Sequence, residues 1–591
     1  LTFDAVVVHG RWFDGTGAPS AIRDIGIRDG RVAAVSPTPL DTEGCPNVID
    51  AEGKWVMPGI IDIHTHYDAE VLAAPALSES VRHGVTTIVM GSCSLSTVHV
   101  NPGEAADLFG RVEAIPHEHV VRIVGEHKSW TNPQEYIDAL ESLPLGPNVT
   151  AFIGHSDMRT AVMGLDRATR KDVRPTAAEQ ARMEQMLAEA LDAGFLGMSS
   201  QQLLFDKIDG ETCRSRTLPS TYAKGRELRR LKSLLRRTGR VLQSGPDISH
   251  PQNIVSQALQ SLGIRRRHLK TSLLAAADMK SAPGTIWLTS GLAAMVNRLG
   301  GDFRFQHLPV PFEVYADGID LVVFEEFGAG AAALHLKDEV ERNELMRDEE
   351  YRRQFRKDYD TKFGPRAWHR DFFDAEIVSC PDESVIGKSF GQVGVERGGL
   401  HPVDAFLDLV LEHGTAIRWR TTISNHRPEM LRRLAQMQGL QIGFSDAGAH
   451  LRNMAFYNSG LRLLRHVRDA DRQGRPFLTV EQAVHRLTGE LADWYGLDAG
   501  HLRVGDWADL VVVDPDRLDD SLDAYHEANV EVYENLSRMV NRNDATVATV
   551  FVSGREVFRH GQPTEILGRE RTGGFLRADG RPRNVPLAVT A

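Results

Sequence analysis

His64 and His66 stand one residue apart in Pro58-Gly59-Ile60-Ile61-Asp62-Ile63-His64-Thr65-His66. Residues two apart in a strand point to the same face, so both imidazoles project together. Placed this way, two neutral imidazoles can share a divalent ion at about 2.0–2.1 Å. A bare His-x-His pair is more often structural; the Pro-Gly turn and the apolar run before it favour the metal reading. Cys93 ends a second apolar run, Thr86-Thr87-Ile88-Val89-Met90-Gly91-Ser92-Cys93. A thiol at a strand end can face the same ion, against the usual fate of a free cysteine, which is inert burial. Asp446 ends a third run, Gln441-Ile442-Gly443-Phe444-Ser445-Asp446, ahead of Ala447-Gly448-Ala449-His450. Its carboxylate could touch the ion and also take a proton from water, the pairing that metal-assisted hydrolysis needs. As an N-cap of the next helix it would do neither. His155, at another strand end, could donate a hydrogen bond to a developing oxyanion, or be a structural histidine. Cys45, Cys213 and Cys380 lie in loop-like contexts and read as structural.

For these side chains to meet, the strands that carry them must end on one side of one sheet. Short apolar strands at 60–66, 86–93, 149–155, 195–200, 241–244, 269–277, 416–424 and 442–446 alternate with helical stretches such as 177–193. That alternation predicts βα units and a parallel sheet, and eight strands suit a closed (β/α)8 barrel of the TIM type. The catalytic end of such a barrel is the C-terminal end of its strands. Residues 281–402 are too long for a connection and contain the charged, helical stretch 337–374. They read as a helical insertion that lids the site or meets another subunit, or as a solvated decoration. Both chain ends are β-rich: Ala5-Val6-Val7-Val8 and Asp24-Ile25-Gly26-Ile27 are matched by Leu510-Val511-Val512-Val513 and Val547-Ala548-Thr549-Val550. They predict one small β-sandwich made from both termini. The expected plan is sandwich at 1–57, barrel at 58–490, sandwich again at 491–568 and a Gly-, Arg- and Pro-rich tail at 569–591, frayed or laid on a neighbour.

The three motifs and the split sandwich resemble the amidohydrolase superfamily. More narrowly, the chain is similar to its N-acyl-D-amino-acid deacylase (D-aminoacylase) branch. The narrower likeness rests on Gly91-Ser92-Cys93, Gly154-His155-Ser156-Asp157-Met158-Arg159 with Ala161-Val162-Met163-Gly164, Trp130 with Glu135-Tyr136-Ile137-Asp138, and Ala193-Gly194-Phe195-Leu196-Gly197-Met198-Ser199-Ser200. The resemblance implies one or two divalent ions, zinc foremost, on His64, His66, Cys93 and Asp446, with Cys93 bridging. It also implies that Lys280 holds a substrate carboxylate, with Arg452 and Arg159 as further substrate-binding candidates. The chain departs from the family at two ligands. Gly245 stands where a histidine follows strand five, and Asp278 where another follows strand six. Aspartate can bind zinc, which keeps Asp278 as a candidate metal ligand, but it adds negative charge and favours harder ions than imidazole does. Asp247 and His250 lie close enough downstream to compensate. Strand four ends Gly197-Met198-Ser199-Ser200 and lacks the lysine that hydantoinase-like members carbamylate.

The 591 residues carry 68 Lys plus Arg against 80 Asp plus Glu, a formal charge of -12. That balance argues against nucleic acid or an anionic membrane as partner. No apolar run reaches the ~18 residues of a membrane helix, and the N-terminus shows no signal-peptide pattern. Four cysteines make no disulfide framework and suit a cytoplasmic protein. The expected function is metal-dependent hydrolysis, by activated water, of a linear amide such as an N-acyl amino acid, in a protein able to form a homo-oligomer. The altered strand ends leave two alternatives: the same chemistry on a peptide-like or natural-product amide, or a degraded barrel that only binds.

Overall fold

The computed structural model describes residues 2–247, 252–362, 366–578, 580–581 and 583–585. Its centre is an eight-stranded sheet of parallel strands: Ile60–Asp62, Val85–Met90, Asn148–Gly154, Gly197–Gln201, Val241–Gly245, Lys270–Leu273, Asp302–His307 and Leu440–Ile442. The first and last strands continue as His64–Thr65 and Phe444–Ala447, which pair in parallel with Phe444 opposite His64 and so close the barrel. Most of these strands are buried on both faces, which is why they read as near-continuous apolar runs.

The strand at Asp302–His307 was not legible as one. In Asp302-Phe303-Arg304-Phe305-Gln306-His307, Phe303 and Phe305 enter an apolar cluster with the surrounding helices, whereas Gln306 joins a buried polar network. That inner polarity hides the strand inside the stretch expected to be the insertion. The strand expected at 416–424 instead runs Arg418–Ser424 as the middle of a separate three-stranded antiparallel sheet, with Phe312–Asp317 and Glu376–Ser379 on either side. The insertion therefore occupies 308–439, between the seventh and eighth strands, and the expected span 281–402 begins too early. It is not mere solvated decoration. Its helices Gly328–His335, Glu349–Asp360 and Pro402–His413 bury an aromatic core of Phe324, Phe355, Trp368, Phe372, Phe406 and Trp419. Phe444 of the eighth strand belongs to that core and also touches the His64 ring, so the insertion packs beside the strand ends that matter.

Helix Ala177–Ala193 starts on a capping box, Thr176 with Glu179, and stops at Gly194, as its sequence predicts. Strands from both chain ends join one sheet in the order 562–563, 555–559, 547–552, 510–513, 55–58, 5–12, 21–28, 31–36. Its apolar side, with Ile25, Ile27, Leu510, Val512 and Phe551, forms the sandwich core. The sandwich joins the barrel where Pro58 pairs with Leu510 and the Gly59 amide donates to the Asp509 carbonyl. The tail is neither frayed nor an arm on a neighbour through residue 578: Phe575 is fully buried, and the Leu576 amide donates to the Val149 carbonyl at 2.8 Å. No helix among the described residues is long and apolar enough to cross a membrane.

Candidate metal centre at the barrel mouth

The closing pair of strands sets the histidines. The His66 amide donates to the Ala447 carbonyl at 2.8 Å, which locks the end of strand one to the end of strand eight. The two rings then lie 5.2 Å apart, centre to centre. His64 Nδ1 donates to Gln306 Oε1 at 2.6 Å, leaving Nε2 as the free lone pair. That Nε2 faces Cys93 Sγ at 3.3 Å and Asp446 Oδ1 at 3.5 Å. His66 Nε2 lies 3.1 Å from the same Asp446 oxygen. His64, His66, Cys93 and Asp446, all chosen from sequence, thus converge.

Three cluster residues adopt a left-handed backbone: Cys93 (φ 52°), Asp446 (φ 60°) and His450 (φ 50°). Such conformations cost a non-glycine residue of order 1–3 kcal/mol, and they turn these side chains inward. Two glycines are obligatory for the same turns. A Cβ on Gly91 (φ 74°) would sit 2.0 Å from the Phe152 carbonyl oxygen, and one on Gly448 (φ 90°) 2.8 Å from the His66 backbone.

Sequence reasoning missed Glu113 and passed over His450. Glu113, buried in the loop after helix Pro102–Phe109, brings Oε2 to 3.4 Å from His66 Nε2 and 3.7 Å from His450 Nε2. Nothing around Glu113 in the chain signals a site, whereas Asp446-x-x-x-His450 lay in plain view. Gln243 and Gln306 were missed too. The first accepts the Cys93 amide proton and the second orients His64.

Burial drives the His64 imidazole down to about 4, keeping it neutral. Burial also opposes charge on His66, but Glu113 and Asp446 overcome it and lift that ring to about 9. Burial would raise the Asp446 carboxyl as well; His66, His64 and His450 nevertheless hold it well below the usual carboxylate range. Burial lifts Glu113 to about 8, Asp68 to about 7 and Asp206 to about 7. Both His66 nitrogens are buried without a hydrogen-bond partner. Two triads, His64–His66–Cys93 and His66–Glu113–Asp446, have ligand atoms within 4.8 Å of one another. Orphaned imidazole nitrogens, a buried thiol and buried acids fit a divalent cation.

The remaining candidates are engaged elsewhere. Asp278 is held bidentately by Arg427, not by the histidines, so it does not stand in for a family ligand. Lys280 Nζ lies 2.6 Å from Asp374, with His369 on the same carboxylate. Arg452 pairs with Asp317 at 2.9 Å and Glu527 at 2.7 Å. His155 is bracketed by Ser200 at 3.0 Å and Glu227 at 2.9 Å, and Arg159 closes on that same buried glutamate. In each case a long-range opposite charge claims the side chain. The place a side chain at Gly245 would need is filled by Gln201, whose amide donates to Asp206 at 2.7 Å. Of the two compensating candidates, Asp247 stays in the loop after strand five, and His250 lies outside the described residues.

Residues 47–240 match the amidohydrolase family. An uncharacterized protein of Mycobacterium tuberculosis is 58% identical over 567 residues, 95% of this chain and 93% of that one. The N-acyl-D-glutamate deacylase of Alcaligenes xylosoxydans xylosoxydans is 35% identical over 199 residues, 33% of this chain and 36% of its own. The crystal structure of an N-acyl-D-glutamate deacylase from Bordetella bronchiseptica, complexed with zinc and a phosphonate mimic of the tetrahedral intermediate, covers 98% of this chain and 100% of its own at a TM-score of 0.63 and 25% identity. With the barrel and the two-ended sandwich in place, residues 47–240 belong to the amidohydrolase family, and the chain as a whole resembles N-acyl-D-amino-acid deacylases.

Proposed function

We propose that this protein hydrolyses a linear amide of an N-acyl amino acid, with one or two divalent cations, zinc foremost, held among His64, His66, Cys93 and Asp446. The observation that carries the reading is the convergence of those four side chains at the C-terminal end of the barrel. Bound there, a divalent cation would act as a Lewis acid, acidifying water and polarising the amide carbonyl. Asp446, kept ionised by its three imidazole neighbours, accepts one proton from the attacking water as the water oxygen bonds to the amide carbon. The C–N bond then breaks and the same carboxyl returns the proton to the departing nitrogen, yielding a carboxylic acid and a free amine. Gln306 and Gln243 keep His64 and Cys93 aimed at the mouth. Four free cysteines suit the cytoplasm as the place of work.

The test is amine release from N-acetyl and N-formyl D- and L-amino acids by chelator-stripped and zinc-reloaded protein. Turnover restored by zinc, with the D series preferred, is expected. Full activity of the stripped protein would end the metal reading, and zinc loading below about 0.1 equivalent would favour a barrel that merely binds its ligand.

One observation favours a second substrate reading, a peptide-like or natural-product amide. Lys280 and Arg452, the cations expected to clamp a substrate carboxylate, already have carboxylate partners. On that reading Lys280→Met leaves KM within about twofold, because the lysine makes no substrate contact; a tenfold or larger rise, about 1.4 kcal/mol of lost binding, would return it to the substrate site.

A further inference from the structure

We propose that Glu113 and His450, with His66 and Asp446, form a second, carboxylate-rich divalent-cation subsite beside the thiolate side made by His64 and Cys93, with Asp446 between the two. The inference rests on the metal-dependent reading above and deepens it, because it names what replaces the two ligand positions this chain lacks at Gly245 and Asp278.

The geometry has two faces, one at each histidine ring. On one side His64 Nε2 meets Cys93 Sγ at 3.3 Å. On the other, His66 Nε2 stands 3.4 Å from Glu113 Oε2 and 3.1 Å from Asp446 Oδ1, and His450 Nε2 reaches those two residues at 3.7 Å and 3.8 Å. Glu113 is 3% and His66 1% exposed, so neither is a solvated surface group. His66 supplies an independent pointer: both its ring nitrogens are buried with no hydrogen-bond partner, and Nε2 is aimed between the two carboxylates. The loop that carries Glu113 is tied to the eighth strand's end, since the His450 amide donates to the Glu113 carbonyl at 2.6 Å. Donor chemistry separates the faces. Thiolate and imidazole suit a softer ion such as zinc, while paired carboxylates with imidazole also accept manganese or other oxygen-seeking ions. The strand-five route to a second ion is closed by Gln201, which fills the space at Gly245, and the strand-six route by Arg427, which covers Asp278. Glu113 and His450 arrive from different loops at the same place.

The test is equilibrium dialysis of the chelator-stripped full chain against zinc, with elemental analysis, run for wild type, Glu113→Gln, His450→Gln and Cys93→Ser. Two zinc ions per wild-type chain are expected. Glu113→Gln and His450→Gln should each keep one ion and weaken the other at least about 10–100-fold, the loss that even an outer-shell partner's removal causes. Cobalt bound to Glu113→Gln should still show the thiolate-to-metal absorption band that Cys93→Ser abolishes. If Glu113→Gln does not fold, His450→Gln carries the test with the same expectation. One zinc in wild type, two ions of unchanged affinity in both variants, or joint loss of both ions from either would overturn the subsite while leaving the hydrolase reading intact. No zinc on wild type would remove both.

Discussion

Asp446→Asn is expected to lower kcat by about 10²–10⁴-fold, the range over which a positioned general base contributes. The substitution is close to isosteric, and asparagine tolerates the left-handed backbone that residue 446 adopts at φ 60°. The fold should therefore survive, and an amide oxygen still stands beside His64 and His66, so part of the cation binding persists. What disappears is the proton acceptor. In the wild type that carboxylate is held well below its ordinary range despite burial, because His66, His64 and His450 surround it. It is ionised at every pH near neutrality, and the comparison is not confounded by its own titration. A fall in kcat at pH 7–8 with zinc content measured on the same sample separates loss of the proton carrier from loss of the ion. A fall of less than about tenfold in zinc-matched samples would remove Asp446 from proton transfer.

Arg538→Met is expected to cost about 3–5 kcal/mol of stability, the penalty for stripping the partner from a buried charge. Arg538, in the strand Leu536–Val540, donates to both oxygens of Glu70 at 3.1 Å and 2.9 Å, and both side chains are under 5% exposed. Glu70 opens the short helix Glu70–Ala73, which follows the His64–His66 strand end almost directly. The pair joins the chain's C-terminal region to the segment that follows the strand end carrying His64 and His66. With Arg538 gone, the Glu70 carboxylate must be buried unpaired or take up a proton. The double variant Arg538→Met with Glu70→Met leaves no buried charge and should be less destabilised than either single variant. The measurement is the shift of the denaturant unfolding transition followed by tryptophan fluorescence. A single-variant cost within about 1 kcal/mol would show the pair to be solvated and dispensable.

These two residues mark the boundary of what could be read in one dimension. Asp446 was legible because strand-end position and residue type are local properties, and the same holds for His64, His66 and Cys93. Glu70 and Arg538 carry no signal, since each looks like an ordinary surface charge until the chain closes. The seventh strand was hidden because its inward residues, Arg304 and Gln306, are polar; the strand at Arg418–Ser424 took its place in the count, and the insertion was placed too early. The tail at 569–578 looked unstructured because its burial is supplied by Val149 and its neighbours, far away in the chain.

From the sequence alone came the barrel class, the sandwich shared by both ends and four side chains at strand ends, because alternation along a strand dictates which way neighbouring side chains point. Only the tertiary structure decided which charges meet. It drew Lys280 to Asp374, Arg452 to Asp317 and His155 to Glu227, and brought Glu113 and His450 to His66. A buried charge takes whichever opposite charge the closed fold sets beside it, because the cost of leaving it unpaired outweighs any local preference.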